Sequence, residues 1–351
     1  MLENKSNRPK HILILRLSAL GDVAMTVPIV LALRQQYPDL KISILSREFF
    51  RPFFNEIPEI IFHPIDPEYL NSGLSGLYKL FRKLSEYDID AVADLHDVLR
   101  TKVLKNLFKA SRIHNASIDK GRADRKKLVA LSKKKLKPIK SIFQRHSDVC
   151  SSLGLPIDLS NVKLFRQKEI SAEVVEITGN KNSKWIGIAP FATYKTKVYP
   201  LNKMEQVIKG LEKKGHQIFL FGGGKKETES LDKISSSFKN CVNIAGRLSF
   251  QHELELISNL DLMVSMDSGN GHMAALFGVP VITLWGNTHP YAGFVPFGQP
   301  LENSITADLN QYPFIPTSIY GNKIIPGYED CMQSIESNTI VQKINRLLEA
   351  G

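Results

Sequence analysis

Three short stretches place reactive residue types at spacings that chemistry can use. Arg16-Leu17-Ser18-Ala19-Leu20-Gly21-Asp22 stands between an apolar strand and an apolar helix. Gly21 permits a tight turn, and Asp22 falls at the helix entrance, where a carboxylate either caps the first turn or takes a proton in a cleft beyond the strand. The residues alone weigh these two roles equally. Asp267-Ser268-Gly269-Asn270-Gly271-His272 likewise follows an apolar strand and opens a helix rich in small residues. Small side chains let a phosphate approach backbone N–H groups at the positive end of a helix. The simpler reading is a tight capped turn with Asp267 as its organiser and His272 bonded inside the fold. Thr193-Tyr194-Lys195-Thr196-Lys197-Val198-Tyr199-Pro200 puts two lysines on one loop, a cationic site for a departing diphosphate or else an ordinary solvated loop. Gly222-Gly223-Gly224 and Gly286-Asn287-Thr288-His289-Pro290 end two further strands.

Several chemistries find no support. The nine histidines form no HExxH and no clustered ligand spacing. Asp94-Leu95-His96-Asp97 therefore reads as structural or acceptor-side before it reads as a metal site, and no metal is expected. The Arg16 to Asp22 stretch does not match GxGxxG and lacks the GK[ST] ending of a phosphate-binding loop, which weakens an ordinary dinucleotide enzyme or NTPase, and no GxSxG element supports a serine hydrolase. Cys150, Cys241 and Cys331 lie far apart and imply neither a disulfide scaffold nor a thiolate site.

These stretches need rigid elements to hold them. His11 to Leu17 is nearly all apolar, as a buried parallel strand must be, and Ala24 to Gln36 is helical in character. Strands at Ile42 to Leu45, Ile60 to Phe62 and Ile89 to Ala93, with helices at Leu74 to Ser85, 98–110 and Ile139 to Leu153, continue a βα alternation. A polar stretch from Ser171 to Lys184 reads as a connection. Trp185 to Ala189 restarts the grammar, with strands at Gln217 to Phe221, Leu262 to Ser265 and Val279 to Leu284 and helices between them. The expected fold is α/β, two Rossmann-like domains with mostly parallel sheets, over 1–175 and 176–351, the last helix being a candidate to return toward the first domain. Such a length suits two hydrophobic cores.

With 43% hydrophobic and 23% charged residues, the 351-residue chain has a globular composition. The apolar run Val23 to Leu33 is too short to span a bilayer and the first ten residues are polar, so a cytoplasmic location is expected. The formal charge of +11 favours anionic partners. It is concentrated at Lys120, Arg122, Arg125, Lys126, Lys127, Lys133, Lys134, Lys135, Lys137 and Lys140, against the single acid Asp124. That run fits anionic lipid or phosphorylated sugar, or simply a solvated surface. No aromatic residues interleave it, and no helix-turn-helix or RNA-binding strand motif accompanies it, so nucleic acid is not expected.

In their order along the chain, ILILRLSALGDVAMTVPIVLALRQQYP from Ile12, ADLHDVLRT at Ala91 to Thr101, Gly187 to Pro190, LMVSMDSGNGH ending at His272, GVPVITLWGNTHP and Cys331 to Ile335 resemble the bacterial ADP-heptose:lipopolysaccharide heptosyltransferases, glycosyltransferase family nine. The likeness spans nearly the whole chain, except that about 111–174 carries little of the pattern. The resemblance implies a GT-B fold with two facing Rossmann-like domains, the acceptor mainly on the amino-terminal one and the nucleotide sugar mainly on the other. It makes Asp22 the general base. It assigns donor phosphates to Thr193, to Lys197 three residues before Pro200, and to Ser268, Gly269, Asn270, Gly271 and His272, with Asp267 organising that loop. Ser18, Gly21, Asp94, His96, Lys126 and Lys127 are candidates for the acceptor side. Asn270-Gly271 and His289 depart from the family pattern and bear on base, ribose or sugar.

The expected activity is inverting, metal-independent transfer of heptose or a related sugar from an ADP-sugar to the lipopolysaccharide inner core. No cofactor is expected, the ADP-sugar being a substrate. Implied partners are a lipid A-linked or core acceptor and an anionic membrane, with the enzyme peripheral on the inner face of the bacterial inner membrane. The alternatives are a glycosyltransferase with another nucleotide-sugar donor, an epimerase of the same fold, and a noncatalytic binder of anionic polymer or nucleic acid.

Overall fold

The computed structural model describes residues 8–132 and 136–350. In chain order the elements are β1 (His11–Leu15), α1 (Leu20–Ala24), α2 (Val27–Gln36), β2 (Lys41–Ser46), β3 (Ile60–Pro64), α3 (Pro67–Asn71), α4 (Gly73–Leu84), β4 (Ala91–Asp94), α5 (Leu99–Ala110), β5 (His114–Ser117), α6 (Arg122–Leu128), α7 (Ile142–Ser152) and α8 (Ala172–Thr178). There follow β6 (Trp185–Ala189), α9 (Leu201–Glu212), β7 (Gln217–Leu220), α10 (Lys225–Ser235), β8 (Cys241–Asn243), α11 (Phe250–Ser258), β9 (Leu262–Met266), α12 (Gly269–Ala275), β10 (Val281–Trp285), β11 (Ser304–Thr306) and α13 (Ser337–Ala350).

The chain forms two compact units. One comprises 1–120 with 142–164, the other 121–141 with 165–351. The first holds a five-stranded sheet in the order β3-β2-β1-β4-β5, every neighbouring pair parallel. β1 is central and buried along its length, which is why His11 to Leu17 is almost uninterruptedly apolar. Leu13, Leu15 and Val92 of this sheet pack with Leu77, Leu80 and Phe81 of α4 and with Leu104 and Phe108 of α5.

The second unit holds a six-stranded sheet, β11-β10-β9-β6-β7-β8, again parallel throughout. Its core joins Ile186, Ile188, Leu262, Val264 and Ile282 to Val207 and Ile208 of α9 and to Ile340 and Ile344 of α13. Both sheets therefore run outward in both directions from their first strand, the doubly wound order of the GT-B class. Such a sheet has a switch point where successive connections diverge, and ligands gather beyond the strand ends there. The switch points are β1/β4 in the first unit and β6/β9 in the second.

Some elements differ from the sequence expectation. The single helix expected over Ala24 to Gln36 is two, α1 and α2, broken at Met25-Thr26. Ser171 to Lys184 is no simple connection, because it contains α8, held through Ser171 Oγ to Glu255 Oε2 (2.7 Å) and buried Val174. The basic stretch contains α6 and packs with the second unit, although it lies in the first half of the chain. There Arg125 is buried between the rings of Phe294 and Tyr320, 5.2 and 5.4 Å from their centroids, and donates to the Tyr320 hydroxyl. Lys133, Lys134 and Lys135 lie outside the described residues.

Candidate functional site

At the β1/β4 switch point the chain leaves β1 through Arg16, whose N–H still donates to Leu45 O (3.2 Å) and prolongs the strand. A buried arginine needs partners. Its Nη1 donates to Leu95 O at 2.6 Å and its Nη2 sits 2.7 Å from Asp22 Oδ1. The other carboxylate oxygen of Asp22 accepts from Ala19 N–H at 3.3 Å, and Thr26 Oγ1 donates to Asp22 O at 3.1 Å. Asp22 caps α1 through that bond and also presents a carboxylate, 38% exposed, whose orientation Arg16 fixes. Gly21 lies inside α1, and the turn is made upstream, at Ser18-Ala19. Ser18 is partly exposed beside it.

The end of β4 closes on this loop. Leu17 N–H donates to His96 Nδ1 (3.4 Å), which leaves the ring proton of neutral His96 on Nε2. Burial, and after it the Arg16 charge, lower the His96 pKa to about 4. Asp94 is fully buried and accepts from the backbone N–H of His96 (3.1 Å) and Asp97 (2.8 Å). It shapes the loop and does not face solvent. Lys126 and Lys127 are exposed on α6 in the second unit, so the structure gathers Ser18, Gly21, Asp22, Asp94 and His96 in one place and puts those two lysines in the other unit.

At the β6/β9 switch point the loop after β6 and the loop after β9 are pinned together. Lys197 Nζ donates to Asp267 O at 2.5 Å and to Asp267 Oδ2 at 3.2 Å, both side chains being nearly buried. An ammonium has three donors, so one is left for an incoming anion. Lys197 is held from behind by Gly321, where a Cβ would stand 2.6 Å from Lys197 Cγ. Neighbouring Thr196 donates from Oγ1 to Gly321 O (2.5 Å), and Tyr199 donates from its hydroxyl to Ile335 O (2.9 Å). Gly286 at the end of β10 must be glycine for a similar reason: a Cβ there would run into Thr196 O and lie 2.8 Å from Met332 Cγ. Thr193 and Lys195 stand exposed on the same loop.

Ser265, fully buried in β9, organises the α12 entrance. Its hydroxyl donates to Met266 O (2.7 Å), accepts from Gly271 N–H (3.2 Å) and lies 3.1 Å from Ser268 Oγ. Ser268, Gly269 and Asn270 are left partly exposed on the first turn, where helix N–H groups lack partners within the helix. His272 is 6% exposed. The glycine loop after β7 is closed to an anion in one respect, since Gly223 N–H is taken by Glu227 Oε2 at 2.8 Å. His289 uses Nδ1 to accept from Tyr291 N–H (3.1 Å), so its departure from the family pattern serves a local cap.

Two residues that organise these sites, Arg16 and Ser265, carry no role in the sequence reading. Arg16 had a signal: a lone cation ending a buried strand must be paired. Ser265 had none. Among the described residues, no group of three His, Cys, Asp or Glu side chains could hold a metal ion.

The arrangement can therefore hold a general base on one unit and an anion on the other. Comparisons with known proteins bear on the fold and the family. Lipooligosaccharide heptosyltransferase 2 of Haemophilus ducreyi is 26% identical over 369 residues, covering 96% of this chain and 99% of that protein. The crystal structure of the glycosyl transferase family 9 protein from Veillonella parvula superimposes with a TM-score of 0.76 at 18% identity, covering 97% and 98% of the two chains. The Escherichia coli ADP-heptose lps heptosyltransferase II gives 0.66 at 20% identity, covering 97% and 99%. The model of glycosyltransferase family 9 (heptosyltransferase) matches residues 77–321, and the chain belongs to that family.

Proposed function

We propose that this enzyme transfers heptose, or a closely related sugar, from an ADP-sugar to the inner core of lipopolysaccharide with inversion at the anomeric carbon. The observation that carries the reading is the Arg16–Asp22 pair at the β1/β4 switch point: a partly exposed carboxylate held at 2.7 Å by a buried guanidinium, in a chain of family 9. Family relatives named for ADP-heptose and for lipooligosaccharide support the donor and the acceptor.

In this reading Asp22 Oδ2 takes the proton of an acceptor hydroxyl as that oxygen forms a bond to the anomeric carbon. The bond from that carbon to the β-phosphate oxygen breaks, and ADP leaves with the electron pair. Lys197, through its remaining donor, and the first-turn amides at Ser268 to Asn270 stabilise the negative charge that develops on the leaving diphosphate, with Thr193 beside them. These groups supply the charge compensation from the chain itself. Lys126 and Lys127 on α6 are proposed to meet an anionic acceptor. The enzyme works from the cytoplasmic face of the inner membrane, and nucleic acid is no partner.

The test is transfer from ADP-heptose to a heptose-free lipid A core acceptor, followed by mass spectrometry of the product. Asp22→Asn should lower turnover roughly 100-fold or more while leaving ADP affinity intact. Turnover within a few-fold of the unaltered enzyme would end the assignment of Asp22, and no product with any nucleotide sugar would end the transferase reading.

A further inference from the structure

The basic run at 120–140 is plain in the sequence, whereas the first unit carries a second surface that no local pattern shows. Parallel strands place all their carboxyl ends on one edge, and a helix that returns between them starts at that same edge. Among the described residues of the first unit, five large hydrophobic side chains are exposed: Phe49, Leu74, Tyr78, Tyr87 and Leu99. Four of them follow a carboxyl end. Phe49 (57% exposed) is in the turn after β2, Leu74 (71%) opens α4 after β3 with Tyr78 one turn further along it, and Leu99 (79%) opens α5 after β4. Tyr87, before β4, is the exception.

α4 and α5 lie side by side, with Phe81 against Phe108 at 5.0 Å. Leu74 precedes Phe81 by seven residues and Leu99 precedes Phe108 by nine, so the two leucines stand ~10 and ~14 Å beyond that contact in the same direction. They lie on the edge where Arg16, Asp22 and His96 are found.

Cations outnumber acids around them, although Asp97, two residues before Leu99, pairs with Lys102 (3.4 Å) and Lys120 (3.6 Å), and Asp66 caps α3. α4 carries Lys79, Arg82 and Lys83, α5 carries Arg100, Lys102, Lys105 and Lys109, and neither helix has an acidic residue. Arg47 is exposed beside Phe49, and the nearby acid Glu48 is already bonded to Arg51 at 2.6 and 2.9 Å. Glu68 on α3 is the acid adjoining α4. Exposed leucine and phenylalanine tips backed by cations are unfavourable in water and unsuited to an acidic protein partner, which would leave the leucines wet. They match a surface whose outer layer is anionic and whose next layer is hydrocarbon.

We propose that the carboxyl edge of the first unit, with Phe49, Leu74, Tyr78 and Leu99 as apolar tips and Arg47, Lys79 and Arg100 among the flanking cations, is a docking surface for an anionic lipid bilayer. The choice of a membrane as partner rests on the glycosyltransferase reading, because a lipid-anchored acceptor would then meet the Asp22 edge at the bilayer surface.

The experiment is co-sedimentation of the full chain with vesicles of equal parts phosphatidylglycerol and phosphatidylcholine, and with phosphatidylcholine alone, from about 0.1 to about 0.5 M salt. Three variants accompany it: Leu74→Ser with Leu99→Ser, Lys79→Gln with Arg100→Gln, and Lys126→Gln with Lys127→Gln. Binding should need phosphatidylglycerol. The leucine variant should bind roughly 10-fold or more weakly while keeping the salt dependence, and the Lys79/Arg100 variant should weaken binding and flatten that dependence. The Lys126/Lys127 variant should bind these vesicles, which carry no acceptor, as the unaltered protein does. Equal binding by the leucine variant, loss confined to the Lys126/Lys127 variant, or a dimer that the leucine substitutions dissociate would each overturn the proposal. ADP titration of the same samples separates the two readings. Unchanged ADP affinity shows the leucine variant folded, and ADP binding without vesicle binding removes the docking surface alone.

Discussion

Lys197 has one duty in this structure and a second in the proposed function, and substitution can separate them. As a strut it neutralises Asp267, which is only 8% exposed; in the proposed function it also offers its remaining N–H to a phosphate. Lys197→Met keeps the stem that packs on Gly321 and removes the charge, leaving a buried carboxylate uncompensated. Breaking a buried pair from one side costs on the order of 3 kcal/mol, which in a unit of this size lowers Tm by roughly 6 to 12 °C. Losing a charge-assisted hydrogen bond to phosphate costs about 1.5 to 3 kcal/mol, a Kd raised roughly 10- to 100-fold. Asp267→Asn, added to Lys197→Met, removes the orphaned charge. It should recover most of the stability and none of the ADP affinity. Thermal unfolding and isothermal titration with ADP on the two single variants and the double variant complete the cycle. If the double variant regains ADP binding together with stability, Lys197 is a strut and the phosphate is held elsewhere; if Lys197→Met unfolds at the unaltered temperature, the ion pair is not the support described.

Arg16→Lys keeps a positive charge but cannot reach Asp22 and Leu95 O together, so kcat should fall about 10-fold with ADP affinity unchanged; equal kcat would show that Asp22 needs no such orientation. Ser265→Ala frees Gly271 N–H and Ser268 Oγ and should weaken ADP binding by roughly 5- to 10-fold, with Ser265→Thr no remedy if crowding against Gly271 dominates; titration decides it. Buried His63, which shares the Ser43 hydroxyl with His11 at 2.9 Å, has its pKa lowered to about 4 by burial. A neutral form favoured in the fold gives stability present above the unfolded value near 6.5 and lost as pH falls from there through about 4, a total of ~3 kcal/mol. Urea unfolding from pH 7 to pH 4 should show it, and His63→Gln should flatten the slope. Burial raises the Cys150 and Cys241 thiols to about 12 and Cys331 to about 11, so a thiol reagent at pH 8 should label none of them in the folded protein and all three in guanidinium. Rapid labelling of the native protein would contradict their burial.

What the sequence shows and hides follows from which interactions are local. β1, β6, β9 and β10 are buried on both faces, so their residues are compelled to be apolar in a run, and the runs stand out. β5, β8 and β11 are edge strands of three or four residues with polar members, His114-Asn115-Ala116-Ser117 for one, and no pattern of that length distinguishes them from loop. Asp22 and Asp267 stand out because a strand end, a small-residue turn and a helix start recur around them, whereas Lys197 is told from Lys195 only by the family resemblance. The Arg16 bridge to Leu95 O and the Ser265 links to the α12 turn depend on which strands become neighbours, which the register of distant segments decides. Likewise, α8 looks like a linker until Glu255 and the packing of Val174 give it a place to dock.

The seating of Arg125 also bears on how the chain is made. Its partner Tyr320 comes 195 residues later. A ribosome adding about 5 to 20 residues each second therefore leaves α6 waiting roughly 10 to 40 s before the body it packs on exists. During that interval Leu128, buried in the finished protein, lies open with a run of cations on either side. Like charges repel, so those cations oppose self-association of an undocked segment, a use for the positive charge at 120–140 apart from any partner met afterwards.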